Sequence, residues 1–182
     1  MDLNSYFLML KRKGYIQVYT GGGKGKTTAS LGLAMRASGY GMKTYIGQFM
    51  KGQHYGELSA VSDNHYITIE QYGDKKHVRR SEATQKQIDQ AIYGLARAKE
   101  AMLSGEYDII VLDEINVAVW FDLISVKDVL VFLAGRPGNV EIILTGRHAP
   151  EALIERADLV SEINEVKHYY NEGVTARNGI EK

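Results

Sequence analysis

The chain contains no cysteine, and this absence excludes disulfide bonds, zinc–cysteine sites and thiol nucleophiles. It also lacks a Gly-x-Ser-x-Gly segment, so serine hydrolysis has no support. The five histidines are scattered, and no two of them have the spacing of metal ligands on one helix face, which argues against a histidine–metal site. The chemistry of this chain therefore depends on other residue types.

An excess of charge of either sign is also missing, because 22 basic residues balance 22 acidic ones. Without bulk positive charge we expect no nucleic acid and no membrane among the partners, and a small-molecule partner fits better. The apolar run within residues 1–13 is too short for a signal or membrane-spanning segment. A chain without cysteine is compatible with the cytoplasm, which is the location that we predict.

A glycine-rich turn follows the first strand-like segment, and a helical pattern begins after it near Lys26. Glycine amides can turn inward around phosphate oxygens, and the positive end of the helix dipole points to the same place. Thr20 stands where the strict phosphate-loop pattern has glycine, so the match is a variant and the alternative is a merely flexible loop. The predicted nucleotide-binding residues of this turn are Gly21, Gly22, Gly23, Lys24, Gly25, Lys26, Thr27 and Thr28.

Two carboxylates, Asp113 and Glu114, follow four uninterrupted apolar residues, the pattern of a buried parallel strand. This segment resembles a Walker B strand. Open α/β sheets bind ligands at the carboxyl ends of their strands, where the glycine turn also lies. The hydroxyl of Thr27 and the two carboxylates are therefore predicted to hold Mg²⁺. The alternative is a solvated strand end that happens to carry two acids.

Strand-like and helical segments alternate along the chain, and 182 residues with 45% hydrophobic content suit one domain. We predict an α/β fold, a three-layer P-loop NTPase-like domain with a mainly parallel central sheet. A flexible N-terminal arm is predicted over residues 1–13 and a single P-loop α/β nucleotide-binding domain over residues 14–182. A long helix is expected over residues 81–103, with Ile88, Ala91, Ile92, Leu95 and Met102 on its inner face. A mobile polar loop is expected over residues 51–57.

Further segments occur in a specific order: residues 20–28, Arg36, Gln48-Phe49, Lys51-Gly52, 112–116, 136–138, 145–147, 157–162, 166–168, 173–174 and 179–181. This ordered series resembles the ATP:corrinoid adenosyltransferases of the P-loop type, and the resemblance covers nearly everything after Gly14. The family has threonine at the position of Thr20, so the departure from the strict loop is explained.

The resemblance implies that the chain transfers the 5′-deoxyadenosyl group of ATP to the Co(I) of a corrinoid, either cobalamin or cobinamide. Triphosphate is released, in adenosylcobalamin biosynthesis or salvage. Lys26 and Glu114 are implied as catalytic residues, and Arg36 and Arg147 as further nucleotide-binding residues. The nucleotide is expected to lie reversed in the loop, with its terminal phosphate in the place usually given to the α-phosphate. Mg²⁺, an electron-donor protein or flavin reductant, and a homodimer are expected as well.

One departure from the family concerns the corrinoid side of the site. Family members commonly carry a Gly-Phe-x-Trp segment after the third strand, and its aromatic rings displace the lower axial ligand of cobalt. Residues 72–78 of this chain have neither Phe nor Trp, so Tyr72, His77 and Val78 are the predicted substitutes. An alternative is that the segment Trp120-Phe121 or the N-terminal arm covers that face.

Two other functions stay open from the sequence alone. An NTPase or kinase that cleaves between phosphates could use Asp113 as a metal ligand and Glu114 as a water-activating base. A module that binds nucleotide or corrinoid without turnover is the other alternative, because the aromatic pair is missing. The released nucleotide product distinguishes these functions.

Overall fold

The computed structural model describes residues 12–74 and 83–182. Its six strands are β1 (Ile16–Thr20), β2 (Thr44–Phe49), β3 (Ile67–Tyr72), β4 (Ile109–Asp113), β5 (Glu141–Thr145) and β6 (Leu159–Glu162). They form one sheet in the order β3-β2-β4-β5-β1-β6, and every neighbouring pair is parallel. The predicted α/β fold with a parallel sheet is therefore confirmed.

Helices cover both faces of the sheet. They are α1 (Lys26–Ser38), α2 (Gly56–Ala60), α3 (Gln85–Leu103), α4 (Ile115–Trp120), α5 (Val126–Ala134) and α6 (Glu151–Arg156), and a 3₁₀ turn follows at Tyr169–Glu172. Helix α1 packs on one face, whereas buried residues of α3, α4, α5 and α6 belong to the larger core on the other face. The three layers follow from this division.

The central strand β4 shows why both faces must be covered. Its alternate residues Ile109 and Val111 join the core under α1, and Ile110 and Leu112 join the opposite core. All four are at most 2% exposed. Because side chains alternate across a strand, an uninterrupted apolar run can be buried only between two layers.

Local signals set the ends of two helices. Thr84 caps α3 through a capping box with Gln87, and Ser125 caps α5 by accepting from the backbone N–H of Asp128. Gly135 follows the last residue of α5. The first two residues of the expected helix 81–103 lie outside the described residues.

The expectation that Ile92 faces the core is wrong, because its side chain is 55% exposed. The residues that helix α3 buries are Ala91, Gly94, Ala98 and Met102, so the expectation is confirmed for Ala91 and Met102. A Cβ atom at Gly94 would lie 2.6 Å from the ring of Tyr72. The helix can approach the ring so closely only because residue 94 has no side chain.

The expected mobile loop over residues 51–57 ends in a short helix, since α2 begins at Gly56. Five residues are too few for a helical period to be visible in the sequence. Most of the predicted N-terminal arm, residues 1–11, lies outside the described residues, and Arg12 forms an ion pair of 3.3 Å with Asp108. Within the described ranges, none of the helices has the length and apolar character needed to cross a bilayer.

Candidate functional site

The loops that follow β1, β2, β4 and β5 meet at the carboxyl edge of the sheet and enclose two neighbouring cavities. The first, of about 340 Å³, is called here the Phe121 cavity and is lined by Gly22, Lys26, Phe49, Met50, Lys51, Tyr55, Glu114, Val117, Phe121 and Arg147. The second, of about 720 Å³, is called the tail cavity and lies between residues 23–31, Lys51, residues 55–60, Glu114 and residues 168–182. Lys26, Lys51 and Glu114 line both.

The glycine turn has the backbone that its sequence requires. Gly21 and Gly25 have φ angles of 93° and 122°, which residues with a side chain rarely adopt. A Cβ at Gly21 would also lie 2.4 Å from the carbonyl oxygen of Ile163. The N–H of Gly23 donates to that same oxygen at 2.7 Å. The turn is therefore fastened to the end of β6, and one of its amides is already used within the protein.

Lys26 opens α1 and folds back over the turn. Its ammonium donates to the carbonyl oxygens of Gly21 at 2.8 Å and Gly23 at 2.6 Å. Burial lowers the pKa of Lys26, and the charge of Glu114 partly opposes this effect. Backbone carbonyl oxygens therefore hold the ammonium of Lys26, and this residue lines both cavities.

Asp113 is completely buried, and four donors surround its carboxylate. One oxygen accepts from the hydroxyls of Thr27 at 2.9 Å and Thr145 at 2.7 Å. The other accepts from the Lys51 ammonium at 2.8 Å and the Gln48 amide at 3.3 Å. Because an ionised carboxylate has about four acceptor positions, the protein itself fills the capacity of Asp113. Its direct effect is to fix the hydroxyl of Thr27.

Glu114 differs from its neighbour in environment. It adopts a left-handed backbone with φ of 63°, stands at the N-cap position of α4 without a capping hydrogen bond from its side chain, and lines both cavities. Burial and then the charge of Asp113 raise the pKa of Glu114, while nearby cations lower it. A strained residue that presents a carboxylate to a cavity is typical of functional sites.

The donor set at this strand end fits Mg²⁺. Mg²⁺ is usually held by one or two protein oxygens together with substrate phosphates, and Thr27 and Glu114 supply such oxygens next to the glycine turn, whereas the four donors on Asp113 leave its carboxylate to hold Thr27 in place. No group of three or more His, Cys, Asp or Glu residues within residues 12–74 and 83–182 could hold a metal ion by itself. The site therefore suits an ion that arrives with a nucleotide.

The structure does not bring all predicted nucleotide-binding residues together. Arg147 lines the Phe121 cavity and Thr28 lines the tail cavity. Lys24 donates to Glu181 at 2.8 Å and to the Tyr169 hydroxyl at 3.0 Å, so the C-terminal segment engages it. Arg36 lies in the last turn of α1, ten residues after Lys26 and therefore about 15 Å along the helix axis.

The predicted corrinoid-side residues lie apart from the two cavities or outside the described residues. Tyr72 is 7% exposed, and its hydroxyl contacts the hydroxyl of Tyr45 at 2.5 Å and the carboxylate of Glu70. Its ring supports α3. His77 and Val78 fall within residues 75–82, which the structure does not describe.

The aromatic residues after β4 take two different positions. Phe121 lines the first cavity. Trp120 instead stacks on His148, with ring centroids 4.0 Å apart. Of the two, Phe121 is therefore the one that a ligand in that cavity would meet.

Gln48, Lys51 and Glu181 are missing from the predicted site residues. Each belongs to a segment that carries the family resemblance, and this was the available signal. Their roles depend on partners that are far away in the sequence. Lys51 and Asp113, for example, are 62 positions apart.

A parallel sheet with a glycine turn after β1 and two acids at the end of β4 is the arrangement of a P-loop NTPase-like α/β domain. The family described as ATP:corrinoid adenosyltransferase BtuR/CobO/CobP matches residues 12–181, and the chain belongs to this family. The predicted resemblance is therefore confirmed.

Three relatives show how far the similarity extends. The corrinoid adenosyltransferase of Sinorhizobium sp is 36% identical over 93% of this chain and 80% of its own length. The corrinoid adenosyltransferase of Escherichia coli strain K12 is 33% identical over 93% of this chain and 86% of its own. Corrinoid adenosyltransferase CobA of Salmonella typhimurium is 34% identical over 94% and 87%.

Proposed function

We propose that this protein is an ATP:corrinoid adenosyltransferase that moves the 5′-deoxyadenosyl group of ATP to the Co(I) of a corrinoid and releases triphosphate, in adenosylcobalamin biosynthesis or salvage. The observation that carries the proposal is the family match over residues 12–181. The geometry supports it, because Lys26, Lys51 and Arg147 line one cavity beside the Thr27–Asp113–Glu114 group.

The reaction needs charge stabilisation more than proton transfer. The electron pair of Co(I) forms the bond to C5′, and the electrons of the breaking C5′–O bond pass to the triphosphate oxygen. Cations that face this oxygen lower the barrier if they interact more strongly with the developing charge than with ATP. We assign this role to Lys26, and we assign nucleotide orientation to the free loop amides and Arg147.

We further propose that Thr27 and Glu114 hold a magnesium ion and that Asp113 keeps the Thr27 hydroxyl in place. When bound, the ion would neutralise part of the phosphate charge. The hydrogen bond of 2.9 Å between Thr27 and Asp113 supports this division. Because Glu114 lines both cavities, it is the carboxylate that a nucleotide-bound ion would meet.

The apolar side of the Phe121 cavity suits the corrinoid. Phe49, Val117 and Phe121 line this cavity together with the cations, and such side chains exclude water from the reacting atoms. Tyr72, His77 and Val78 remain proposed corrinoid-side residues, and the buried ring of Tyr72 would act through the position of α3. We add Phe121 as an aromatic side chain that a corrinoid in this cavity would contact.

Several finer assignments stay proposals that depend on the family resemblance. Arg36 would hold the nucleotide from the far end of α1, and an electron-donor protein or a flavin would reduce Co(II) to Co(I). The protein would act as a homodimer in the cytoplasm. Residues 14–182 would form a single domain, and residues 1–13 an arm.

The decisive experiment incubates the protein with ATP, Mg²⁺ and chemically reduced cobalamin or cobinamide. Absorption spectra should show a cobalt–carbon bond, and chromatography of the spent nucleotide should show triphosphate, because attack at C5′ leaves the three phosphates joined. Steady release of ADP without corrinoid would favour an NTPase and contradict the proposal. Because Phe and Trp are missing from residues 72–78, cobinamide should outperform cobalamin under mild Co(II)-reducing conditions.

A further inference from the structure

Lys51 is a largely buried cation to which the proposed function assigns no step. Its side chain is 15% exposed, and its ammonium lies 2.8 Å from Asp113 and 3.7 Å from Glu57. It also lines both the Phe121 cavity and the tail cavity. A ligand in either cavity would therefore meet this side chain.

The backbone around Lys51 is shaped to aim it at the site. Met50, directly before it, has a left-handed φ of 59°. Directly after it, a Cβ at Gly52 would lie 2.2 Å from the carbonyl oxygen of Gly73. A strained residue and a close backbone contact therefore bracket Lys51, and such features persist where they serve a function.

Asp113 can spare the ammonium. Without Lys51 it still accepts from Gln48, Thr27 and Thr145. Glu57 likewise keeps the Gln48 amide at 3.0 Å. Moving the ammonium towards a ligand therefore leaves neither carboxylate without a donor.

We propose that Lys51 is a further catalytic residue that contacts the leaving triphosphate: its ammonium turns from Asp113 to the phosphate oxygen released from C5′. The inference depends on the proposed function. In the step, the electron pair of Co(I) forms the Co–C bond and the pair of the C5′–O bond remains on that oxygen. Lys51 neutralises part of this charge and transfers no proton.

The test compares Lys51→Gln, Lys51→Arg and the control Lys99→Met, which removes an exposed lysine of α3. Glutamine keeps a donor for Asp113 but loses the charge. Lys51→Gln should lower kcat at saturating ATP about 10- to 100-fold, the effect of one lost charge-assisted contact in the transition state. Lys51→Arg should recover part of this loss, and Lys99→Met should match the unmodified protein.

A binding measurement separates the catalytic role from a structural one. Inorganic triphosphate carries the charge that develops on the leaving oxygen, whereas ATP does not. Calorimetry should therefore show that Lys51→Gln weakens triphosphate binding at least several-fold more than ATP binding. Equal weakening of both ligands, or an unchanged kcat, would overturn the assignment. If the unmodified protein forms no cobalt–carbon bond, the proposed function fails, and the comparison of triphosphate with ATP still decides whether Lys51 contacts the released oxygen.

Discussion

The substitution Asp113→Asn tests the central group of the site. Asp113 is 0% exposed and pairs at 2.8 Å with Lys51. Asparagine keeps the shape but removes the charge, so the buried ammonium of Lys51 loses its main counter-ion. Breaking a buried pair by changing one partner costs about 3–5 kcal/mol. Because Glu57 remains 3.7 Å from Lys51, we expect the loss of stability to lie at the lower end of this range, about 3 kcal/mol.

For a chain of this size, a loss of about 3 kcal/mol lowers Tm by roughly 6–12 °C. Thermal unfolding followed by circular dichroism measures the shift, and Asp63→Asn, at an exposed turn, should change the free energy of unfolding by less than about 0.5 kcal/mol. The double variant with Lys51→Met removes both charges and should lose less stability than the two single variants added together. A Tm drop below about 2 °C for Asp113→Asn, or strictly additive effects, would refute this account of the buried pair.

Three other substitutions test separate parts of the site and the sheet. Lys26→Ala should weaken ATP binding about 10- to 150-fold, since one charge-assisted contact is worth about 1.5–3 kcal/mol; calorimetry with an unchanged affinity would remove Lys26 from the site. Glu114→Gln should lower the rate of cobalt–carbon bond formation more than Glu57→Gln, because Glu114 lines the Phe121 cavity and Glu57 does not, and equal losses would contradict its placement. Burial raises the pKa of Glu70, but hydrogen bonds from two tyrosine hydroxyls and an arginine have the larger, opposite effect. The net pKa of Glu70 therefore lies below its usual value of 4.5. Its stabilising effect is therefore present above about pH 4.5 and is lost as the pH falls through the folded-state pKa. Glu70→Gln should lower Tm at pH 7 and flatten the fall in Tm below pH 4.5, and an acid limb of unchanged slope would exclude Glu70 as its source.

Much of the fold and the loop could be predicted because their signals are local. The glycine turn occupies consecutive residues 20–28, and the strand before Asp113 is an uninterrupted apolar run. The cap of α5 at Ser125 likewise needs only the residue three positions later. Signals of this kind depend on neighbours in the chain, and tertiary contacts seldom override them when several agree.

The surroundings of these local features depend on distant contacts. Lys24 appears in the sequence as a free loop lysine, but the structure pairs it with Glu181, 157 positions later. Ile92 has the helical spacing of a core residue and is nevertheless exposed, because Gly94 lets α3 lie against Tyr72 on a neighbouring stripe. Neither outcome follows from spacing, because each depends on which surfaces the sheet brings together.

The charge around the Phe121 cavity connects these observations with the chemistry. Three cations, Lys26, Lys51 and Arg147, line it together with the carboxylate of Glu114. The carboxylate of Asp113 contacts the ammonium of Lys51. Before a nucleotide binds, Lys51 is neutralised by Asp113 and Lys26 is held by loop carbonyls. A triphosphate brings several negative charges, which Lys26 and Arg147 alone would not balance in a partly buried site. Releasing Lys51 from Asp113 supplies a third cation as the C5′–O bond breaks and charge develops on the leaving oxygen, and the two threonines and Gln48 remain as hydrogen-bond donors to Asp113.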